Sequence, residues 1–106
     1  MAKKVLGQSN PAATTATTLY TVPAAKEAVV STLVIANLTS TAATYRIAIR
    51  PAGATLANSQ YIAYDITVGA SDSTALTLGI TLATTDIITV YASTANLTFT
   101  AFGDES

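Results

Sequence analysis

The stretch "TYRIAIR", residues 44–50, decides the fold class because its side chains alternate between two faces. One face carries the large apolar side chains of Tyr45, Ile47 and Ile49. The other carries Thr44, Arg46, Ala48 and Arg50. A period of two predicts a half-buried β-strand, and Pro51 and Gly53 end it.

Other stretches repeat this pattern along the chain. Residues 96–102, "NLTFTAF", place Leu97, Phe99 and Ala101 opposite Thr98, Thr100 and Phe102. Residues 27–37, "EAVVSTLVIAN", form a longer β-branched run, which predicts a central strand covered on much of both faces. Further strands are predicted over residues 60–68, 86–92 and 73–82, the last interrupted at Gly79.

Short polar stretches separate these runs and are typical of turns. We therefore predict an all-β fold, a single antiparallel β-sandwich of about seven or eight strands, immunoglobulin-like or jelly-roll-like. Helix is disfavoured because Thr, Val and Ile lose side-chain freedom in helices. A short helical turn is expected at most within residues 11–18 or near residues 54–59.

The amino-terminal stretch is predicted to be an extended arm, residues 1–18, preceding a sandwich domain of residues 19–106. Residues 5–10 could form a short strand, and the Ala/Thr-rich stretch after it a polar connection. Leu19, Tyr20 and Val22 supply apolar anchors that free linkers lack. The arm could pair with its own sheet edge or with a neighbour by strand addition. We expect it to be unordered until it docks, so that its deletion leaves the fold intact.

The composition argues against several classes of function. Charged residues make up 10% of the chain, the net charge is −1, and Lys and Arg together number five. Nucleic acids and anionic membranes need clustered basic residues, so neither is expected as a partner. Alanine and threonine contribute 21 and 20 residues, which gives a surface solvated by hydroxyl groups rather than charges.

Side chains that could catalyse a reaction or bind a metal are few. We therefore predict that the protein is not an enzyme and has no cofactor, metal or small-molecule substrate. The chain has no Cys and no His, so it lacks the commonest metal ligand and general base. Asp65 interrupts an apolar strand and is expected to pair with Arg46 or Arg50. Asp72 and Asp86 lie in predicted turns and should accept hydrogen bonds from local backbone amides. Asp104 and Glu105 lie near the carboxyl end and should belong to a solvated tail.

Candidate partner-binding residues come from the arm and from tyrosine and arginine positions. Tyrosine is enriched at interfaces, although each tyrosine could instead cap the sandwich core with its hydroxyl in water. They are Val5, Leu6, Gln8, Leu19, Tyr20, Arg46, Arg50, Tyr61 and Tyr64. Asn37 and Asn96 each begin an "NLT" that matches a glycosylation acceptor, a match short enough to occur by chance.

Segments over most of the chain, including "VLGQSNPAATTATTLYTVP", "YRIAIRPAG" and "VYASTANLTFTAFG", resemble small virion structural proteins of tailed bacteriophages. The resemblance implies a capsid decoration, or cement, protein that binds the outer head as trimers or dimers and reinforces contacts between major capsid subunits. Its partners would be the major capsid protein and copies of itself. Its location would be the virion, after synthesis in the bacterial cytoplasm, since no apolar signal segment follows Lys3 and Lys4.

Two other functions fit the same sequence. One is a tail, neck, baseplate or fibre component of the virion, which shares the composition of a decoration protein. The other is a carbohydrate-binding β-sandwich module, for which exposed aromatic platforms are expected although the chain has no Trp.

Overall fold

The computed structural model describes residues 2–77 and 79–106, which form two antiparallel β-sheets packed face to face. The all-β sandwich predicted from the sequence is confirmed, although the described residues form nine strands rather than about seven or eight. Within the described residues the strands are β1 (Ala2–Ser9), β2 (Thr17–Thr21), β3 (Ala28–Asn37), β4 (Ala43–Arg50), β5 (Tyr61–Val68), β6 (Ser73–Leu76), β7 (Ile80–Leu82), β8 (Ile87–Ala92) and β9 (Leu97–Glu105). Short 3₁₀ turns occupy Pro51–Gly53 and Asn58–Gln60.

The first sheet has the order β1-β9-β3-β6, and β7 also pairs with β3; the second has the order β2-β8-β4-β5. β6 pairs with one half of β3 and β7 with the other half. Between them lies Gly79 with a positive φ of 61°, a conformation that glycine adopts without a steric penalty. The predicted interruption of the 73–82 strand is therefore confirmed.

The core lies between the sheets and follows the predicted alternation. Tyr45 and Ile47 from the second sheet meet Leu97 and Phe99 from the first, and all four are buried. The Tyr45 and Phe99 rings pack edge to face, with centroids 6.2 Å apart and planes at 76°. β3 is a central strand, as predicted, because β9 flanks it on one side and β6 and β7 on the other. The prediction that much of both its faces is covered is wrong, since Val29 on its outer face is 41% exposed.

The amino-terminal strand β1 runs antiparallel along β9, from Ala2 opposite Glu105 to Ser9 opposite Phe99. The Asn10 amide then donates hydrogen bonds to the carbonyls of Ala95 and Leu97, at 2.9 and 2.7 Å. The segment was predicted to pair either with its own sheet edge or with a neighbouring chain. In the structure it pairs with β9 of its own sheet. The expectation that it is unordered before docking is wrong, because β9 offers it a full row of backbone partners.

The carboxyl-terminal acids lie in β9 between β1 and β3, so the prediction of a solvated tail is wrong. Glu105 accepts a hydrogen bond of 2.5 Å from the Tyr20 hydroxyl. It also forms an ion pair with Lys4, whose Nζ lies 3.0 Å from Glu105 Oε1. Tyr20 is buried with Leu19 and Val22, as expected of anchors. The Tyr20–Glu105 hydrogen bond joins the second sheet to the first, whereas the Lys4–Glu105 pair lies within the first sheet.

The same side of the sandwich holds a close backbone approach. Gly7 of β1 lies against β2, where an added Cβ would collide with the carbonyl oxygen of Leu19. We call this region, with Lys4, Gly7, Tyr20 and Glu105, the closed side. The opposite side of the second sheet ends at β5, which we call the open edge.

Candidate functional site: an arginine–tyrosine face and an apolar patch

The outer face of the second sheet carries an arginine between two tyrosine rings. Arg46 of β4 stands directly opposite Tyr91 of β8 in the strand register. Its guanidinium carbon lies 4.1 Å from the ring centroid of Tyr64 and 4.4 Å from that of Tyr91. Both distances are short enough for cation–π attraction, so the arginine and the two rings hold one another in place. We call Arg46, Tyr61, Tyr64, Asp65 and Tyr91 the arginine–tyrosine face.

Asp65 neutralises this arginine with a two-pronged contact. Arg46 Nε lies 2.7 Å from Asp65 Oδ1, and Arg46 Nη2 lies 3.3 Å from Asp65 Oδ2. The ion pair predicted for Asp65 is confirmed, with Arg46 as the partner. The hydrogen bond from Arg46 is the main cause that lowers the pKa of the Asp65 carboxyl, against an opposing effect of burial. The face therefore displays aromatic surface with its two charges compensated.

Irregular backbone in β5 brings these groups together. The β4–β5 register shifts between Tyr45 and Ile47 and again between Ile47 and Ala48, and Asp65 has a positive φ of 53°. Such β-bulges re-aim side chains and bend an edge strand out of regular pairing. A bulged edge carrying a charge is a poor template for another strand, so a partner would meet the side chains of β5 rather than its backbone.

Tyr61 and Tyr64 form a recess at the end of this face. Their ring centroids are 5.0 Å apart and their planes stand at 85°. Together with Asn58, on the 3₁₀ turn before β5, they line an open cavity of about 410 Å³. Tyr64 is 53% exposed, so its ring is accessible from solvent. We call Asn58, Tyr61 and Tyr64 the Tyr61–Tyr64 cleft.

The loop before β5 is fixed against the second sheet. Arg50 donates from Nε to the Ala54 carbonyl at 2.7 Å and from Nη2 to the Gly53 carbonyl at 3.2 Å. The Ala52 amide donates to Asp86 Oδ1 at 2.8 Å, and Asp86 also accepts from the Ala83 amide at 2.8 Å. Arg50 therefore holds the loop that positions Asn58, a role that the sequence does not reveal.

The turn acids behave as the sequence predicts. Asp86 binds backbone amides as just described, and Asp72 Oδ1 accepts from the Ser73 amide at 2.8 Å. Asn37, from the first "NLT", is buried and donates to the Thr41 carbonyl at 2.8 Å. Its side chain therefore has a structural role in the turn after β3.

A second surface lies on the outer face of the first sheet. Val5 of β1 is directly opposite Phe102 of β9, and Val29 of β3 lies diagonally next to that phenylalanine, opposite Asp104. All three apolar residues are exposed: Val5 by 48%, Phe102 by 39% and Val29 by 41%. We call them the Phe102 patch. Sequence reasoning selected Val5 but missed the other two, although the alternation of residues 96–102 already placed Phe102 opposite the core.

The nine partner candidates divide into three groups in the structure. Those exposed or half-buried at the surface are Val5, Gln8, Arg46, Tyr61 and Tyr64, and the last three share the arginine–tyrosine face. Leu6 is half-buried against the core, and Arg50 is bound to loop carbonyls. Leu19 and Tyr20 are buried in the core, so they offer no surface to a partner.

No protein-family model, curated protein or solved structure matches this chain. Across the described residues, no group of three or more potential metal ligands is present. In the same part of the chain, no helix has the length and apolar character needed to cross a membrane. The arginine–tyrosine face and the Phe102 patch are therefore the features of the molecule that bear on its function.

Proposed function

We propose that this chain is a structural protein of a tailed-bacteriophage virion, a capsid decoration protein that binds the outer head surface and stabilises contacts between major capsid subunits. In this proposal it is not an enzyme, and its partners are the major capsid protein and copies of itself. The observation that carries the proposal is the Phe102 patch on a sheet face with little charge.

The strand register places uncharged side chains next to this patch on the same face. Across the face, Val5, Phe102 and Thr32 form one row, and Gln8, Thr100 and Val34 form the next. The charged residues Lys3 and Asp104 stand opposite each other in the register, in the same row as Val29 at one end of the face. Protein interfaces are depleted of charge at their centres, and the two rows around Phe102 likewise contain no charged residue.

The composition of the whole chain also favours a protein that works in an assembly. A freely diffusing small domain usually carries more charge for colloidal stability than the 10% of this chain. Weak apolar contacts gain strength when copies are linked, because each later contact becomes intramolecular. The resemblance of the sequence to small virion proteins points in the same direction.

The test is the stoichiometry of the chain in purified virions of the phage that encodes it, measured by quantitative mass spectrometry against the major capsid protein. A decoration protein is expected in many copies spread over the head. A few copies per particle would instead indicate a tail, neck, baseplate or fibre component. Absence from the particles would overturn a virion role altogether.

A binding assay tests the surface itself. Phe102→Glu should abolish sedimentation of the purified protein with undecorated heads, since it places a charge in the centre of the patch. Ile62→Glu is the matched control, because Ile62 is a comparably exposed apolar residue in β5 of the other sheet. Equal binding by Phe102→Glu and the natural chain would refute the assignment of this surface.

A further inference from the structure

We propose that the Tyr61–Tyr64 cleft binds a neutral carbohydrate, with a sugar ring stacked on a tyrosine and its hydroxyl groups bound by Asn58. The site lies on the second sheet and the Phe102 patch on the first. The inference is therefore independent of the proposed docking of the first sheet to a capsid.

The two rings give the cleft the shape that stacking requires. Because the Tyr61 and Tyr64 planes stand at 85°, one ring can serve as a floor and the other as a wall. The face of an aromatic ring is electronegative and attracts the weakly positive C–H groups of a sugar ring. Arg46 packs over Tyr64, and Asp65 fixes Arg46. The platform is therefore ordered before a ligand arrives, which reduces the entropy lost on binding.

The polar groups of the cleft match hydroxyl groups. The Asn58 amide has both donors and an acceptor, and each tyrosine hydroxyl can donate and accept. None of these three side chains hydrogen-bonds to another described residue. Asn58 and Tyr64 are exposed and Tyr61 is half-buried, so their polar groups are available to a ligand.

The charges near the cleft favour a neutral ligand over an anion. Arg46 is neutralised by Asp65. Arg50 is bound to neutral loop carbonyls and keeps its charge, but it is not among the residues that line the cleft. A phosphate or nucleic acid would require uncompensated cations. A peptide adding as a strand would require a regular edge, which the bulges of β5 remove.

The experiment is a titration of the ¹⁵N-labelled full chain, followed by amide chemical shifts. The probes are maltotriose, cellotriose, mannotriose and chitotriose, with inorganic phosphate and a proline-rich peptide as competing ligand classes. We expect at least one neutral trisaccharide to shift amides within residues 58–64. Tyr61→Ala should weaken that binding about tenfold, whereas Tyr61→Phe should retain the stacking.

Matched variants separate binding from folding. Asn58→Ala changes an exposed residue and should weaken sugar binding without loss of fold, while Asn96→Ala, also exposed, should have no effect. Tyr91→Ala removes the other ring on Arg46 but lies outside the cleft, so it should affect sugar binding less than Tyr61→Ala. If Tyr61→Ala fails to fold, Asn58→Ala carries the test.

Several results would overturn the inference. These are no shift with any trisaccharide, shifts confined to the first sheet, or equal binding by the natural chain and Asn58→Ala. Shifts of residues 58–64 with phosphate or peptide but not with sugar would assign the cleft to that ligand class instead. None of these results bears on the abundance of the chain in virions, which tests the proposed function separately.

Discussion

The closed side and the open edge of the sandwich each contain an ion pair but use it differently. On the closed side, Glu105 is paired with Lys4 and its side chain is 12% exposed. At the open edge, Asp65 is paired with Arg46 and its side chain is 47% exposed. The first pair lies within the first sheet, beside the buried Tyr20, whose hydrogen bond to Glu105 joins the two sheets. The second lies among exposed rings and orients them.

This difference indicates where the fold is stabilised and where it is available for binding. A carboxylate shielded from water and bonded to a buried hydroxyl contributes to folding, because losing either partner leaves a polar group unsatisfied. An exposed ion pair contributes little to stability, since water and salt screen it. We therefore expect changes on the closed side to affect unfolding and changes at the open edge to affect the arginine–tyrosine face.

The largest effect is expected from deleting residues 1–9. This removes β1, leaves the edge of β9 unpaired and strips the Lys4 contact from Glu105. We expect loss of most of the roughly 5–10 kcal/mol that holds a domain of this size folded, and with it the cooperative urea transition followed by circular dichroism. A synthetic peptide of residues 1–9 should restore the transition. An unchanged transition midpoint would show that β1 is dispensable.

Glycine substitutions compare the two sides directly. Gly7→Ala on the closed side adds a Cβ that collides with the Leu19 backbone, and we expect a loss of about 2–3 kcal/mol in the free energy of unfolding. Gly69→Ala, just after β5, meets only an ordinary contact of 3.7 Å with Asp72 and should change stability little. Urea titrations of both variants measure the difference. Equal losses would contradict the close approach of β1 to β2.

Hydroxyl removal gives a smaller effect on the closed side. Tyr20→Phe deletes the 2.5 Å hydrogen bond to Glu105, and we expect a loss of about 1.5 kcal/mol, typical of a bond to a charged group. The control is Tyr91→Phe, because the Tyr91 hydroxyl makes no hydrogen bond with the other described residues. Thermal and urea unfolding measure the stability of both variants. If Tyr20→Phe and Tyr91→Phe were equally stable, the hydrogen bond from Tyr20 to Glu105 would not stabilise the fold.

The pH dependence of stability should reflect Glu105. The hydrogen bond from Tyr20, and next that from Lys4, lowers the pKa of this carboxyl. Because the folded-state pKa lies below the unfolded value of about 4.3, this stabilisation is fully present above that value and is lost as the pH falls through the folded pKa. Glu105→Gln should be less stable than the natural chain at neutral pH, and the two melting curves should converge in acid.

Asp65→Asn is the control for that titration. The pKa of the natural Asp65 carboxyl is also lowered, chiefly by the hydrogen bond from Arg46. The Asp65 side chain is, however, far more exposed than that of Glu105. We expect a smaller change in the pH dependence of the melting temperature. A larger change for Asp65→Asn than for Glu105→Gln would reverse the comparison between the two sides.

The smallest effect on stability is expected from Arg46→Gln at the open edge. The melting temperature should change less than in Tyr20→Phe, since the ion pair is exposed. The ring-proton chemical shifts of Tyr64 and Tyr91 should nevertheless move, because both rings lose the guanidinium between them. Unchanged ring shifts would show that the arginine does not position the tyrosines.

The parts of the fold that the sequence could predict are those set by local alternation. Tyr45, Ile47, Leu97 and Phe99 follow a period of two and are all buried as expected. The Arg46–Asp65 pair was also predictable, because a charge within an apolar strand needs a partner.

The remaining features depend on contacts between distant segments. Nothing within residues 1–18 or at Glu105 indicates that β1 and β9 pair, since the contact joins residues about a hundred positions apart. The bulges of β5 also have no local signal, because Asp65 adopts a positive φ without glycine. The arrangement of the Tyr61–Tyr64 cleft depends on those bulges. The sequence therefore allowed the two tyrosines to be selected as candidates, but it did not allow their arrangement to be predicted.

The most direct test of the proposed decoration role is electron cryomicroscopy of intact virions that contain this domain, at a resolution that orients it. We predict many copies on the outer head, with Phe102 and Val5 against the major capsid protein and the Tyr61–Tyr64 cleft facing solvent. Copies confined to the tail would contradict the decoration role. Copies on the head with the second sheet against the shell would contradict the assignment of the two faces.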